Sequence, residues 1–334
     1  MKKILFSIIA LIGLLTSCSN DDIIVQRNTV IKINPSNVIA PFNVEIEAGE
    51  LQSFPSSHKL RVRLLVYNED GVLVSTDTQY LTNYAALATC NVELEKGYYD
   101  IVAITDVVQY SNSGDVTFEY WKLVDENNLL TTKMVDAGYI GGQYKIMGID
   151  RMQVNVDFEN SDIILYPQPV GALCLVQWFN IHTFDNSGIT EYTLSMNRSS
   201  DFLQFNNSTS WDVTPENNNN QYDWRLTYIN PKDMEEYNHA YNYYYCLPMS
   251  VSFKYEYTVG DTQKDLGNSE LVNLLPGKEY WFFLDLNDEG KISYGLGLLL
   301  NGNTRASAPS PMLEKPFSSQ SVFIKDINNS KMNK

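Results

Sequence analysis

The sequence predicts an all-β protein, organised as two β-sandwich domains in tandem. Tyr and Phe number 22 and 14, charged residues make up only 19%, and Asn-rich turns punctuate the chain. Aromatic and β-branched runs bounded by polar turns are the composition of strands. The clearest segments alternate apolar and polar residues with period two. A Pro-rich break near the middle of the 334 residues separates halves that share a short phrase.

Taken in order, residues 19–34 read as a polar tether with a short strand at its end. Leu60, Val62, Leu64 and Val66 alternate with Arg61 and Arg63, which predicts a half-buried strand over Leu60–Tyr67. Asn68-Glu69-Asp70-Gly71 follows as a turn, since Asp-Gly suits the positive φ of a tight hairpin, and Val72-Leu73-Val74 begins the return. Further strands are expected at Asn91–Glu95, Tyr99–Ile104, Val116–Val124 and Met152–Phe158, with a turn at Tyr110–Gly114. Residues 125–148 read as a long ordered loop with short strands.

The break falls between Asn160 and Pro169. Tyr166-Pro167-Gln168-Pro169 cannot sit in a central strand, because proline donates no ladder hydrogen bond. Ala172–Ile181 is a near-continuous apolar run, the look of a strand buried on both faces. Val251, Phe253, Tyr255, Tyr257 and Val259 alternate with polar residues, and Gly260-Asp261 closes that strand. Tyr280–Leu286 and Ile292–Leu300 complete the second half, and Asn217–Asn220 reads as a polar loop.

Val92-Glu93-Leu94-Glu95-Lys96-Gly97 and Val272-Asn273-Leu274-Leu275-Pro276-Gly277 share the form V-x-L-x-x-G, each followed by an aromatic strand. The expected mechanism is a strand, a turn that needs glycine, and a strand that re-enters the core through an aromatic. The expected boundaries are 1–17 for a signal segment, 18–34 for the tether, 35–162 and 163–300 for the two sandwiches. Residues 301–334 form a polar tail, with Thr304–Gln320 as a Ser/Pro linker before a strand-like segment at Ser321–Ile327.

Met1-Lys2-Lys3, the apolar run Ile4–Leu15 and Leu15-Thr16-Ser17-Cys18 together form a secretory signal. The apolar run is shorter than the roughly 20 residues a spanning helix needs. Leu-Thr-Ser-Cys resembles the bacterial lipobox, in which the chain is cut between Ser17 and Cys18 and the Cys18 sulfur carries diacylglycerol. The bland alternative is an ordinary signal peptide with a chance cysteine. Each buried lipid methylene contributes about 0.8 kcal/mol, so two or more chains anchor stably. Asp21-Asp22 resembles the acidic pair that directs lipoproteins of Bacteroidota to the outer face of the outer membrane.

Loss of residues 1–17 takes the net charge from −16 to −18, because only Lys2 and Lys3 are removed. Such a surface repels phosphate backbones and argues against nucleic-acid binding. Cys90, Cys174 and Cys246 lack metal-ligand spacing and read as small buried hydrophobes, with a Cys174–Cys246 bridge as the alternative. His58, His182 and His239 are scattered, and no G-x-S-x-G or phosphate-binding loop occurs. No catalytic residue, metal or soluble cofactor is therefore expected. The turns Asn68-Glu69-Asp70 and Asn287-Asp288-Glu289 read as solvated hairpin turns before calcium sites. Trp178 and Trp281 lie in apolar runs and read as core, whereas Trp211 and Trp224 flank the Asn-rich loop and are candidate ligand-stacking aromatics. Tyr241–Tyr245 is a second candidate surface.

The lipobox, the hairpin phrase Arg63–Gly71 and Leu94-Glu95-Lys96-Gly97-Tyr98-Tyr99-Asp100-Ile101-Val102-Ala103 occur together in one chain. The last is similar to the L-x-x-G-x-Y-x-x-x-A element of the fimbrium anchor and fimbrillin-like lipoproteins of Bacteroidota. Pro169-Val170-Gly171-Ala172 resembles the opening of their second domain. The resemblance covers roughly residues 35–300 and implies tandem transthyretin-like, Greek-key sandwiches. It implies a lipid-anchored outer-membrane protein facing outward, in contact with other fimbrial subunits by strand exchange or augmentation. Polymerising members are activated by trypsin-like cleavage after an Arg beyond the first strand. Here Arg61 and Arg63 lie inside a predicted strand and Arg27 lies too early, which favours an anchor or accessory subunit over a stalk pilin. The segment after Ile292 would be the natural donor of intersubunit strand contacts. The alternative function is a surface glycan-binding lipoprotein of a nutrient-uptake system.

Overall fold

The structure is a computed structural model. It describes residues 27–39, 57–82, 86–137, 144–157, 163–179, 189–196, 200–206, 211–215, 224–229, 239–268, 272–286, 291–299 and 313–323. Apart from one four-residue helix, every regular element among these is a strand, in agreement with the all-β expectation.

The first half supplies β1 (Arg27–Ile33), α1 (Ser36–Ile39), β2 (His58–Asn68), β3 (Leu73–Leu81), β4 (Ala88–Leu94) and β5 (Gly97–Tyr110). It continues with β6 (Val116–Glu119), β7 (Trp121–Val124), β8 (Lys133–Asp136), β9 (Met147–Val156), β10 (Ile163–Leu165) and β11 (Gln168–Pro169). The expected strands are present, except that Val116–Val124 is broken at Tyr120 into β6 and β7, which join different sheets, and Phe158 lies outside the described residues. The hairpin of β2 and β3 turns at Gly71, whose φ is +75°, and Gly114 closes the β5–β6 turn at φ +97°.

Two sheets sandwich the first core. A small sheet has the order β10-β1-β4, and a larger one runs β11-β9-β5-β2-β3 with β6 added to the end of β5. Ile31, Ile33, Cys90, Val92 and Leu165 of the small sheet close on Val62, Leu64, Val66, Ile101 and Ala103 of the large one. Burial pushes the Cys90 thiol up to about 12, with Asp77 adding to the shift.

Three expectations are corrected here. The strand expected at the tether's end is the central strand of the small sheet, antiparallel to β4 and parallel to β10, so the sandwich starts before residue 35. Strands β10 and β11 pair with β1 and β9, so the first sandwich also runs past residue 162. The Pro-containing β11 takes the sheet edge that its missing donor demands. The third correction concerns β2, which is not half-buried: Arg61 and Arg63 are 2% and 6% exposed. Strand β2 is covered on both faces, so its period-two pattern marks two different interiors rather than an inside and an outside.

The second half supplies β12 (Ala172–Phe179), β13 (Ile189–Met196), β14 (Ser200–Phe205), β15 (Trp211–Pro215), β16 (Trp224–Ile229) and β17 (His239–Cys246). It ends with β18 (Met249–Val251), β19 (Phe253–Val259), β20 (Thr262–Asn268), β21 (Val272–Leu274), β22 (Glu279–Leu286), β23 (Lys291–Leu299) and β24 (Leu313–Phe323). Five strands in the order β17-β12-β22-β23-β24 form one sheet, and β16-β13-β19-β20 form another. The apolar β12 is internal, parallel to β22 and antiparallel to β17, as a run without alternation requires. The register sets Cys174 opposite Tyr244 and Cys246 opposite Ala172. The two cysteines are therefore diagonal neighbours rather than a facing pair. The linker expectation for Thr304–Gln320 is corrected as well: residues 313–323 pair with β23 as an edge strand. Pro316 is tolerated there because it sits at the edge and at a register shift. Ile324–Ile327 and the loop Asn217–Asn220 lie outside the described residues.

The shared phrase marks the same manoeuvre twice. Strand β4 pairs in the small sheet and β5 in the large one; β21 pairs with β18, and β22 with β12 and β23. Each turn carries the chain from one sheet to another, and a tyrosine hydroxyl ties it down. Tyr99 donates to the Glu95 carbonyl at 3.1 Å. Tyr280 donates to the Asn273 carbonyl at 2.6 Å and accepts from the Leu275 amide at 3.0 Å. Gly277 needs its freedom, at φ +67°, whereas Gly97 is not in the left-handed region.

Gly148 of β9 is required by a close approach. A Cβ there would collide with the fully buried Val38 of α1 and come within 3.2 Å of the Gln168 carbonyl oxygen. Gly148→Ala should therefore lower the free energy of unfolding by about 1–3 kcal/mol, the usual cost of overpacking a core. Urea titration checks this, and adding Val38→Ala should recover part of the loss. Full stability of the single variant would show that the helix yields without cost.

Candidate functional site

The face of the large sheet turned away from β1 carries charge into the interior. Arg61 of β2 lies directly opposite Asp106 of β5 and holds it with both forks, Nε to Oδ1 at 2.9 Å and Nη2 to Oδ2 at 2.6 Å. Its Nη2 also donates to the Trp121 carbonyl at 3.0 Å, and its Nη1 pairs with Glu119. Burial disfavours the Arg61 charge, but Asp106 and Glu119 outweigh it and its pKa is raised. For Arg63 burial wins and the pKa is lowered, despite Asp106 and Glu119 nearby. On the same face Arg151 of β9 grips Asp100 of β5 at 2.7 and 2.8 Å.

What covers this face comes from both halves of the chain. Strands β7 and β8 of the first half join β14 and β15 of the second in one sheet, β15-β14-β8-β7. Leu203, Phe205, Tyr245 and Leu247 from the second half share a core with Leu65, Tyr67, Val102, Ile104 and Trp121 from the first. Three polar ties cross the same seam. The Tyr245 hydroxyl donates to the Met147 carbonyl at 2.7 Å and accepts from the Gly171 amide at 2.6 Å. Arg151 Nη1 donates to the Asn206 carbonyl at 2.7 Å.

Outside this seam lies a cleft of about 400 Å³, lined by Asp125, Asn127, Thr131, Lys133 and Gln204. The turn that follows β7 shapes it. Asp125 adopts φ 55°, and its carbonyl accepts from the hydroxyls of Thr131 at 3.0 Å and Thr132 at 3.4 Å. Thr132 is fixed in turn by Tyr67, whose hydroxyl lies 2.8 Å away in the core. Burial pushes the Tyr67 hydroxyl up to about 12. From the second half, Gln204 donates its amide to the Leu130 carbonyl. Lys133 places its ammonium 4.6 Å from the centre of the Phe202 ring.

The residues singled out in the sequence sit elsewhere. Ser17 and Cys18 lie outside the described residues. Trp211 opens β15 and is packed, partly buried, against the shared core. Trp224 opens β16 opposite Met196; its side chain lies outside the described residues. Tyr245, from the candidate surface Tyr241–Tyr245, is only 5% exposed and serves the seam. His58 is buried, stacked 3.9 Å from Tyr144, with Nδ1 on Ser57 and Nε2 on Tyr120, each at 3.0 Å. Burial lowers its pKa. The Asn68 turn uses its own Oδ1 to accept the Asp70 and Val72 amides, while Asn287–Glu289 lies outside the described residues. Among the described residues no group of three His, Cys, Asp or Glu converges. The cleft itself carried no sequence signal, since its five residues are polar and come from a loop and two strands of different halves.

No protein-family model and no curated protein matches the sequence. Solved structures do resemble it. A polysaccharide-binding candidate from Bacteroides thetaiotaomicron is 13% identical, with 83% of this chain and 99% of that one covered and a TM-score of 0.48. An adhesin candidate from Bacteroides ovatus is 11% identical over 86% and 96%, with a TM-score of 0.46. The fimbrial anchor protein Mfa2 from Porphyromonas gingivalis is 11% identical over 78% and 91%, with a TM-score of 0.42.

The buried pair sets a stability test. Asp106→Asn leaves Arg61 buried beside a neutral partner and should cost about 3–5 kcal/mol. Glu119→Gln, at a side chain 37% exposed, should cost much less. Denaturant unfolding of both variants measures the difference, and equal losses would mean that burial does not govern the pair.

Proposed function

We propose that this chain is a cell-surface lipoprotein that serves as the anchor or an accessory subunit of a fimbrium. The lipobox at Leu15-Thr16-Ser17-Cys18 supplies the membrane end of that role, through acyl chains on Cys18. Tandem transthyretin-like sandwiches supply the part that faces outward, in contact with neighbouring subunits.

One observation carries the choice of anchor over stalk: the first strand is locked in place. Strand β1 is central in its sheet, with β4 on one side and β10 on the other. Residues 34–58 contain neither Arg nor Lys, so the connection from β1 to β2 offers a trypsin-like protease no site. Arg61 and Arg63 lie buried within β2, which is paired along both edges. Arg27 precedes all but the first residue of β1, so cutting there leaves the strand in the sheet. A subunit that keeps its own first strand can end a fibre but has no groove to open for a neighbour. The alternative, a nutrient-uptake glycan binder built on Trp211 and Trp224, is weakened because Trp211 is packed against the core.

Two outcomes test this reading. Cys18→Ser should leave the protein unprocessed or released from membranes and abolish palmitate labelling; labelling equal to wild type would overturn the lipid assignment. Limited trypsin digestion of the folded chain should yield no species lacking β1 while retaining β2. Recovery of such a species that then assembles into ladders would make the chain a stalk pilin.

A further inference from the structure

We propose that the cleft beside the seam is a binding site for the hydroxyl-rich edge of a neutral glycan. Its chemistry selects that class by elimination. Its five lining residues, Asp125, Lys133, Asn127, Gln204 and Thr131, carry between them a carboxylate, an ammonium, two amides and a hydroxyl. Vicinal diols need this mixture, because each hydroxyl both donates and accepts. A metal ion would find one carboxylate and a repelling ammonium. A phosphate or sulfate would meet Asp125 on a chain of net charge −16. An extended peptide adds to a sheet edge, whereas β8 and β14 are the two internal strands of their sheet. A cleft of about 400 Å³ is of the size that holds a small ligand or the end of a longer one.

The arrangement is also built rather than incidental. Thr131 donates its hydroxyl to the Asp125 carbonyl and Thr132 donates to the Asn128 carbonyl, which shapes the turn that carries Asp125 at its left-handed φ. Gln204 spends its amide on the Leu130 carbonyl, which leaves its own carbonyl as an acceptor. Lys133 is held over the Phe202 ring. Gln204 and Phe202 come from the second half and the other residues from the first, so the site exists only where the halves join. The site stands apart from the fimbrial reading, because its occupancy needs no fibre partner.

The test uses the full mature lipoprotein in detergent micelles on an array of neutral mono- to hexasaccharides, with zwitterionic dipeptides as a second arm. A neutral glycan should bind, and Asp125→Asn and Lys133→Met should each weaken it roughly tenfold or more, as losing a charged hydrogen bond does. Asparagine tolerates the left-handed backbone, so Asp125→Asn should keep the wild-type unfolding midpoint. Absence of neutral-glycan binding, binding unchanged in both variants, or retention of dipeptides alone would overturn the proposal. Whether the chain recovers pilin-like ladders from cells is a separate readout and bears on the fimbrial reading alone.

Discussion

The structure depends on one constraint: the central strands β2 and β5 of the large sheet are covered on both faces. One face closes on the small sheet around β1 over an apolar core. The other must admit Arg61, Asp106, Asp100 and Arg151, and charges without water are tolerated only when paired and fully hydrogen-bonded. The sheet's geometry provides the pairing. Arg61 and Asp106 are direct antiparallel neighbours, and Arg151 reaches Asp100 from the next strand. Both pairs are bidentate, which fixes orientation as well as charge. The arginines then spend their spare donors on backbone carbonyls of the covering layer, at Trp121 and Asn206.

Those spare donors couple the two halves. Asn206 follows β14 in the second half, so its carbonyl ties the ion pair on β5 and β9 to that half. Tyr245 repeats the logic with one hydroxyl, donating to Met147 and accepting from Gly171. With a common sheet and a common apolar core added, the second half completes the first rather than following it on a linker. Such a seam resists hinge motion where a flexible connection would not. It also brings side chains from both halves within reach of one small ligand.

Much of this was legible in the residues. Alternation located β2, β19 and the hairpin after Asn68, and glycine chemistry located the turns at Gly71, Gly114 and Gly277, all at positive φ. The apolar run Ala172–Phe179 announced an internal strand. What alternation could not convey is how many layers cover a sheet. Arg61 and Arg63 look like a wet face in sequence, because the carboxylates that neutralise them lie more than 40 residues away. The partners of β1, β10 and β14 were hidden for the same reason: they are distant in sequence, and local pattern does not encode pairing. The cleft was illegible because polar residues that line a site and polar residues in a turn have the same composition.

The first strand is held from both sides. If β1 were an edge strand, cutting its connection could release it at modest cost. As a central strand it carries seven antiparallel pairs with β4 and three parallel ones with β10, and it buries Ile31 and Ile33 completely. Its removal would strip the small sheet of its middle and uncover Val62, Leu64 and Val66. The chain enters the described fold through this strand, so a pull from the N-terminal side is delivered first to β1. A strand flanked on both sides loads its hydrogen bonds in shear along their whole length. A chain fixed to a surface at its N-terminus therefore has a mechanical reason, besides a chemical one, to keep that strand where it is.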